Sequence, residues 1–125
     1  DAAQTNLFLV DAIQELAFRE PNASIGVILR NEESASAFFD LCGEIPRARL
    51  VLDGDFSFTP GVDVTDVSSV KGLEFDYVII PDATAQNYPK TDEARHLLHV
   101  AVSRASHQLW VAASGTSSPL LPPRE

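Results

Sequence analysis

Methionine is absent from the 125 residues, and lysine and cysteine are nearly so. A chain without even an initiating methionine is expected to be a piece of a longer protein rather than an intact translation product. Cys42 is the single cysteine, which excludes an intramolecular disulfide and gives no metal-cluster spacing. It stands at the end of a helical stripe and reads as a small core residue, in keeping with a reducing, cytoplasmic setting. Only two lysines occur, Lys71 and Lys90, and with nine basic against eighteen acidic residues the net charge is −9. That balance argues against a free-standing nucleic-acid binder, because phosphate contacts need clustered Lys and Arg. Long apolar runs are missing as well. None approaches the roughly 20 residues of a membrane span, and no signal-peptide pattern opens the chain, so no membrane partner is expected.

Other absences narrow the chemistry. No serine stands in a Gly-x-Ser-x-Gly turn, so a triad-type nucleophile finds no support. His96 and His99 share a helix face, but a zinc site needs a third and fourth ligand that the sequence does not offer, and no metal site is expected. No glycine is followed by Lys and then Ser or Thr, so the phosphate-cradling Walker A loop is lacking. By itself the chain is not expected to hold a triphosphate.

What is present is an ordinary globular composition, 45% hydrophobic and 22% charged, in a length suited to one domain. A chain of this size buries roughly two-thirds of its unfolded surface, enough for a core without staples. Thr5 or Asn6 is placed to cap a first helix, whose stripe is Leu9, Ile13, Leu16 and Ala17 and which Glu20-Pro21 ends. The continuous apolar run Ile25 to Arg30 reads as a strand buried on both faces. Asn31 caps a second helix with Ala35, Phe38, Phe39 and Cys42 on its stripe and Gly43 as its stop.

Arg49 to Leu52 reads as a short strand, followed by the turn Asp53-Gly54-Asp55 and a hairpin extension at Phe56 to Phe58. Further strands are expected over Val62 to Val67 and Tyr77 to Ile80. Thr91 caps a last helix, with Asp92 and Glu93 in its first turn; it runs to about Ala105, and Gln108 to Ala113 forms a final strand. Strands alternating with helices point to an α/β domain over residues 1–113, with a mainly parallel sheet and helices on both faces. Residues 114–125 form a Ser/Pro-rich tail that is either a linker or an end that packs back. No internal repeat occurs.

Two places carry candidate function. The loop from Val67 to Asp76 holds Lys71, Gly72 and Glu74 between two buried strands, at a strand end, where sheets of this class place ligand chemistry. On the last helix Arg104 falls at the margin of the apolar arc formed by Leu97, Leu98, Ala101, Val102 and Ala105. It either complements the helix dipole or aims a planar fork of donors at an anion across an interface.

Lys71-Gly72-Leu73-Glu74-Phe75-Asp76 resembles motif V of superfamily 1 helicases of the UvrD/Rep type. Leu97-Leu98-His99-Val100-Ala101-Val102-Ser103-Arg104-Ala105 resembles their motif VI, usually Leu-Leu-Tyr-Val-Ala-x-Thr-Arg-Ala. The resemblance is close from about Val62 to Ala113 and, before that, covers only the order of elements. It implies the C-terminal RecA-like domain, a three-layer P-loop NTPase-like fold, of an ATP-dependent DNA helicase. It also implies an N-terminal RecA-like domain of the same protein as partner, across a shared ATP and Mg2+ site whose Mg2+ ligands lie outside this chain. Arg104 would then be the finger on the γ-phosphate, and Glu74 would accept from a ribose hydroxyl. Gly72 would let the backbone approach the nucleotide, and Lys71 would anchor the loop or reach a phosphate. Ser68 and Ser69 would lie toward single-stranded DNA, Ser68 standing where the family often has histidine. The isolated piece would be inactive.

The Val-Lys-Gly-Leu-Glu-Phe-Asp form and the Ser-Arg-Ala-Ser-His ending also resemble helicase-like ATPases that remodel RNA polymerase. A reading of another class is a non-catalytic doubly wound interaction domain in which Arg104 and Glu74 only bridge elements. A Walker A loop with a following Asp-Glu pair upstream in the gene separates the helicase from that rival.

Overall fold

Continuous apolar strands joined through helices leave little choice but parallel pairing with both sheet faces covered, and the chain folds that way. The computed structural model describes residues 2–43, 45–52, 54, 56, 59–113 and 116–121. In chain order the elements are α1 (Ala2–Arg19), β1 (Ser24–Leu29), α2 (Glu32–Asp40), β2 (Ala48–Val51), β3 (Gly61–Asp66), a 3₁₀ turn (Val67–Ser69), β4 (Phe75–Ile80), α3 (Asp92–Val102) and β5 (Ala105–Val111). The five strands form one sheet in the order β2-β3-β1-β4-β5, and each neighbouring pair is parallel.

Alternation along the strands divides the core in two. Ile25, Val27, Val62, Val64, Tyr77 and Ile79 meet Leu9, Ile13 and Leu16 of α1 and Ala35 and Phe38 of α2. On the opposite face Ile28, Val78 and Ile80 meet Ala94, Leu98 and Ala101 of α3. Cys42 is buried in the first cluster, and burial pushes its thiol pKa up to about 11, which makes it a poor nucleophile in the folded state.

Local signals set most element ends. Asn31 Oδ1 accepts from Ser34 N at 2.9 Å and Thr91 Oγ1 from Ala94 N at 3.1 Å, the two N-caps expected from the sequence. Three expectations are corrected. Thr5 and Asn6 lie inside α1, which starts at Ala2, because nothing upstream of them breaks a helix and alanine favours one. Gly43 does not stop α2. The helix ends at Asp40 where the backbone tightens into three-residue bonds, Leu41 N to Phe38 O and Cys42 N to Phe39 O. Likewise α3 stops at Val102, not Ala105, because Ala105 already pairs with Phe75 in the sheet. The expected turn and hairpin at 53–58 lie mostly outside the described residues, and Phe56, the described part of the hairpin, is buried against α3's face of the sheet.

At the carboxyl end of the sheet a polar knot ties β1 to the loop after β4. Asp82 Oδ2 accepts from Arg30 N at 3.0 Å, and Arg30 Nε donates to Asn87 O at 3.1 Å. Asn87 Nδ2 donates to Asp82 O at 3.0 Å. Residues 116–118 lie along this loop, with Ser118 Oγ donating to Tyr88 O at 2.6 Å. Asp82 Oδ1 and the Tyr88 hydroxyl are buried without a hydrogen-bond partner among the described residues. Burial raises the Asp82 carboxyl pKa, against the pull of the Arg30 N–H and charge.

A carboxyl raised above its ordinary 3.8 penalises the fold most when ionised, and the penalty fades as pH falls through the folded pKa toward the unfolded one. Asp82→Asn is therefore expected to gain stability relative to the parent as pH rises from about 4 to about 7. Thermal midpoints of both proteins across that range check this, and a constant difference contradicts it. Among the described residues no helix is long and apolar enough to cross a membrane.

Candidate functional site

A parallel strand pair needs a connection that returns from one end of the sheet to the other, and the link between β3 and β4 does so in eight residues, 67–74. It begins at the carboxyl end. There the Ser69 hydroxyl donates to Asp66 Oδ1 at 2.6 Å and lies 3.4 Å from Leu52 O, just past β2. Ser68 is exposed beside it. The link then crosses the α3 face with Val67 and Val70 buried, turns at Lys71-Gly72, and delivers Glu74 to the amino end of β4. The candidate residues of this loop thus divide between opposite ends of the sheet, whereas the sequence suggested a single strand end. The reason is geometric: β4 runs parallel to β3, so the loop cannot begin and finish at the same end.

Gly72 has a φ of +82° and nothing within 4 Å of where a Cβ would stand. Glycine is required there by the left-handed backbone, not by crowding within this chain. Lys71 and Glu74 are exposed, and neither has an ion pair among the described residues.

Arg104 arrives at the same end as Glu74 through main-chain bonds. Its carbonyl accepts from Phe75 N at 2.8 Å, and its own N–H donates to Ala101 O at 3.2 Å, closing the last turn of α3. Ser106 Oγ donates to Phe75 O at 3.2 Å, so the stretch around Arg104 is fastened on both sides of Phe75. The Arg104 side chain is half-buried. Nη2 donates to Ser103 Oγ at 3.0 Å, while Nε is buried and finds no acceptor among the described residues. The margin position expected from the helical wheel holds, although Arg104 lies two residues beyond the helix end.

Beside Glu74, on the β1 and β3 side of β4, lies a cavity of about 230 Å³, lined by Ser24, Phe56, Thr59, Asp63, Leu73, Glu74 and Phe75; Arg104 does not line it. Its aromatic wall is an edge-to-face pair, Phe56 and Phe75, with ring centroids 5.9 Å apart. Asp63 is buried and its carboxylate is held by Arg49 Nε at 2.7 Å. A buried charge paired in this way is costly to unpair, which fixes the amino end of β3 beneath the cavity. Sequence reading missed Phe75, Asp63 and Arg49 as parts of the site. It also passed over Gly26, where a Cβ would lie 2.8 Å from the Phe75 ring. A lone glycine inside an apolar strand run was a usable sign of close approach.

A free carboxylate accepts from a hydroxyl, a guanidinium with open N–H groups meets an anion, and a glycine turn keeps the rim low.

Comparison with known proteins bears on the family and the fold. The family model for the UvrD-like helicase C-terminal domain matches residues 61–112. The chain is also similar to the solved C-terminal domain of a possible DNA helicase from Lactobacillus plantarum WCFS1. The two are 30% identical with a TM-score of 0.76 over 92% of this chain and 70% of that one. No curated protein matches the chain significantly.

Proposed function

The chain belongs to the family of UvrD-like helicase C-terminal domains, and on that premise we propose that it is the second RecA-like domain of an ATP-dependent superfamily 1 DNA helicase. In this reading it supplies one wall of an ATP site shared with an N-terminal RecA-like domain that carries the phosphate loop. The observation that carries the reading is the bond from Phe75 N to Arg104 O. It holds the residue after Glu74 against Arg104, so the carboxylate and the guanidinium share one end of the sheet.

Arg104 is proposed to contact the γ-phosphate and to stabilise the charge that spreads over its oxygens as the bond to the leaving group breaks. Glu74 is proposed to accept from a ribose hydroxyl, with Gly72 giving the nucleotide room and Lys71 within the same turn adding a positive charge toward phosphate. Ser68 and Ser69, at the other end of the connection, are proposed to face single-stranded DNA. There the exposed Ser68 offers its hydroxyl and Ser69 holds the turn through Asp66. Mg2+ is proposed to take its protein ligands from the partner domain. Hydrolysis in the closed cleft and opening after release then step the two domains along the strand.

The test of this site uses the full-length protein with ATP and with an ATP lacking both ribose hydroxyls. A hydrogen bond to a charged group is worth about 1.5–3 kcal/mol, or roughly 10- to 100-fold. The parent is expected to lose about that much kcat/KM on the analogue, and Glu74→Ala to lose it on ATP and little more on the analogue. Equal further losses in both proteins exclude the ribose contact.

A further inference from the structure

We propose that Ser103 is a positioning residue for Arg104, an inference that rests on the finger reading of Arg104 given above. Ser103 caps the carboxyl end of α3 in an ordinary right-handed conformation, φ −81° and ψ −1°. Its hydroxyl makes two bonds with different roles. It donates to Val100 O at 3.0 Å, which fixes the oxygen on the last turn of the helix. The same oxygen accepts from Arg104 Nη2 at 3.0 Å, which leaves one guanidinium nitrogen tethered.

The consequence lies in what the rest of Arg104 is free to do. Its main chain is set by Phe75 N and Ala101 O, so the only remaining freedom is that of the side chain. Among the described residues no carboxylate pairs with it, and its Nε has no acceptor. A guanidinium has five N–H donors; Nε is buried and Ser103 engages one N–H of Nη2, which leaves the remaining N–H groups of the two terminal nitrogens for an anion. A neutral hydroxyl suits this task. It orients the fork without the charge pairing by which an aspartate or glutamate would compete with phosphate. Pre-set geometry of this kind acts on the reacting complex more than on initial binding, since a loosely held group loses its alignment for the transition state.

The experiment is steady-state ATP hydrolysis by the full-length protein with Ser103→Ala, Ser103→Thr, Arg104→Ala and the Ser103→Ala/Arg104→Ala double variant. Ser103→Ala is expected to lower kcat about tenfold, of the order of the freedom an untethered arginine side chain regains, with KM for ATP nearly unchanged. Ser103→Thr is expected to restore kcat, because threonine can make the same bond to a preceding helical carbonyl. In the Arg104→Ala background Ser103→Ala is expected to add nothing. An unchanged kcat in Ser103→Ala alongside a large loss in Arg104→Ala overturns the positioning role and leaves the finger standing. An equal Ser103→Ala loss in both backgrounds also overturns it, since Ser103 then acts apart from Arg104. If Arg104→Ala itself keeps full kcat, the finger reading falls, and the positioning inference falls with it.

Discussion

Arg104→Ala in the full-length protein is expected to lower kcat for ATP hydrolysis by about 10³-fold or more, the scale on which a single arginine stabilises phosphoryl-transfer charge. Folding of the domain should change little. The contacts that fasten Arg104 to Phe75 and Ala101 are main-chain bonds, and alanine keeps them. Among the described residues its one side-chain tether, to Ser103, is exposed, where such bonds contribute little. Arg104→Lys separates charge from shape: it keeps the positive charge but loses the planar fork, and most of the loss is expected to persist. ATPase turnover of both variants, with thermal midpoints as control, checks the prediction. Turnover within a few-fold of the parent in Arg104→Ala sets the assignment aside.

The second large effect concerns the wall of the cavity. Phe75 is buried, packs edge-to-face on Phe56 and lies where any side chain on Gly26 would intrude, with ring atoms 2.8 Å from the position of a Cβ. Phe75→Ala is expected to cost about 3–5 kcal/mol, the usual range for truncating a buried aromatic. Gly26→Ala alone is expected to cost about 1–3 kcal/mol by overpacking, because the clash is with a ring confined by its neighbours and not with a flexible side-chain tip. The two changes should not add. Once the ring is gone the alanine methyl at position 26 has room, so Gly26→Ala in the Phe75→Ala background should be nearly neutral. Denaturant unfolding of the four proteins gives the coupling directly. Additive losses show that the ring does not lean on Gly26. Since Phe75 N also holds the Arg104 carbonyl, Gly26→Ala is further expected to reduce ATPase turnover in the full-length protein.

Much of the architecture was legible because it rests on local rules. The runs Ile25 to Leu29 and Tyr77 to Ile80 are apolar on both parities, which only a strand covered on both faces tolerates. The caps Asn31 and Thr91 follow from side-chain chemistry alone. The misses have the opposite character. Whether α3 ended at Val102 or at Ala105 depended on pairing between Ala105 and Phe75, residues thirty apart in the chain, and no local propensity carries that information. The end of α2 at Asp40 is similarly a matter of backbone tightening that the sequence near Gly43 did not signal. Within the candidate site, Arg104, Glu74 and Gly72 drew attention because their types stand out against their surroundings. Asp63 and Arg49 were not, since an acid in one strand and a base in another become a pair only when the sheet is assembled. Assembly also revealed that one loop faces two ways.

That loop has a mechanical consequence. The register sets Asp66 level with Leu29 and Tyr77 level with Ile25, so Phe75 lies roughly 20 Å back along the sheet and roughly 10 Å to the side. The eight linking residues, three of them in a 3₁₀ turn, reach only about 26 Å between Asp66 and Phe75 at ordinary rises. A span of about 22 Å therefore uses most of the available length. The segment works as a tie: while its turns hold it has little spare length, and Val67 and Val70 seat its middle against the sheet. One added residue is expected to give the segment slack and to loosen the seating of Gly72 and Glu74.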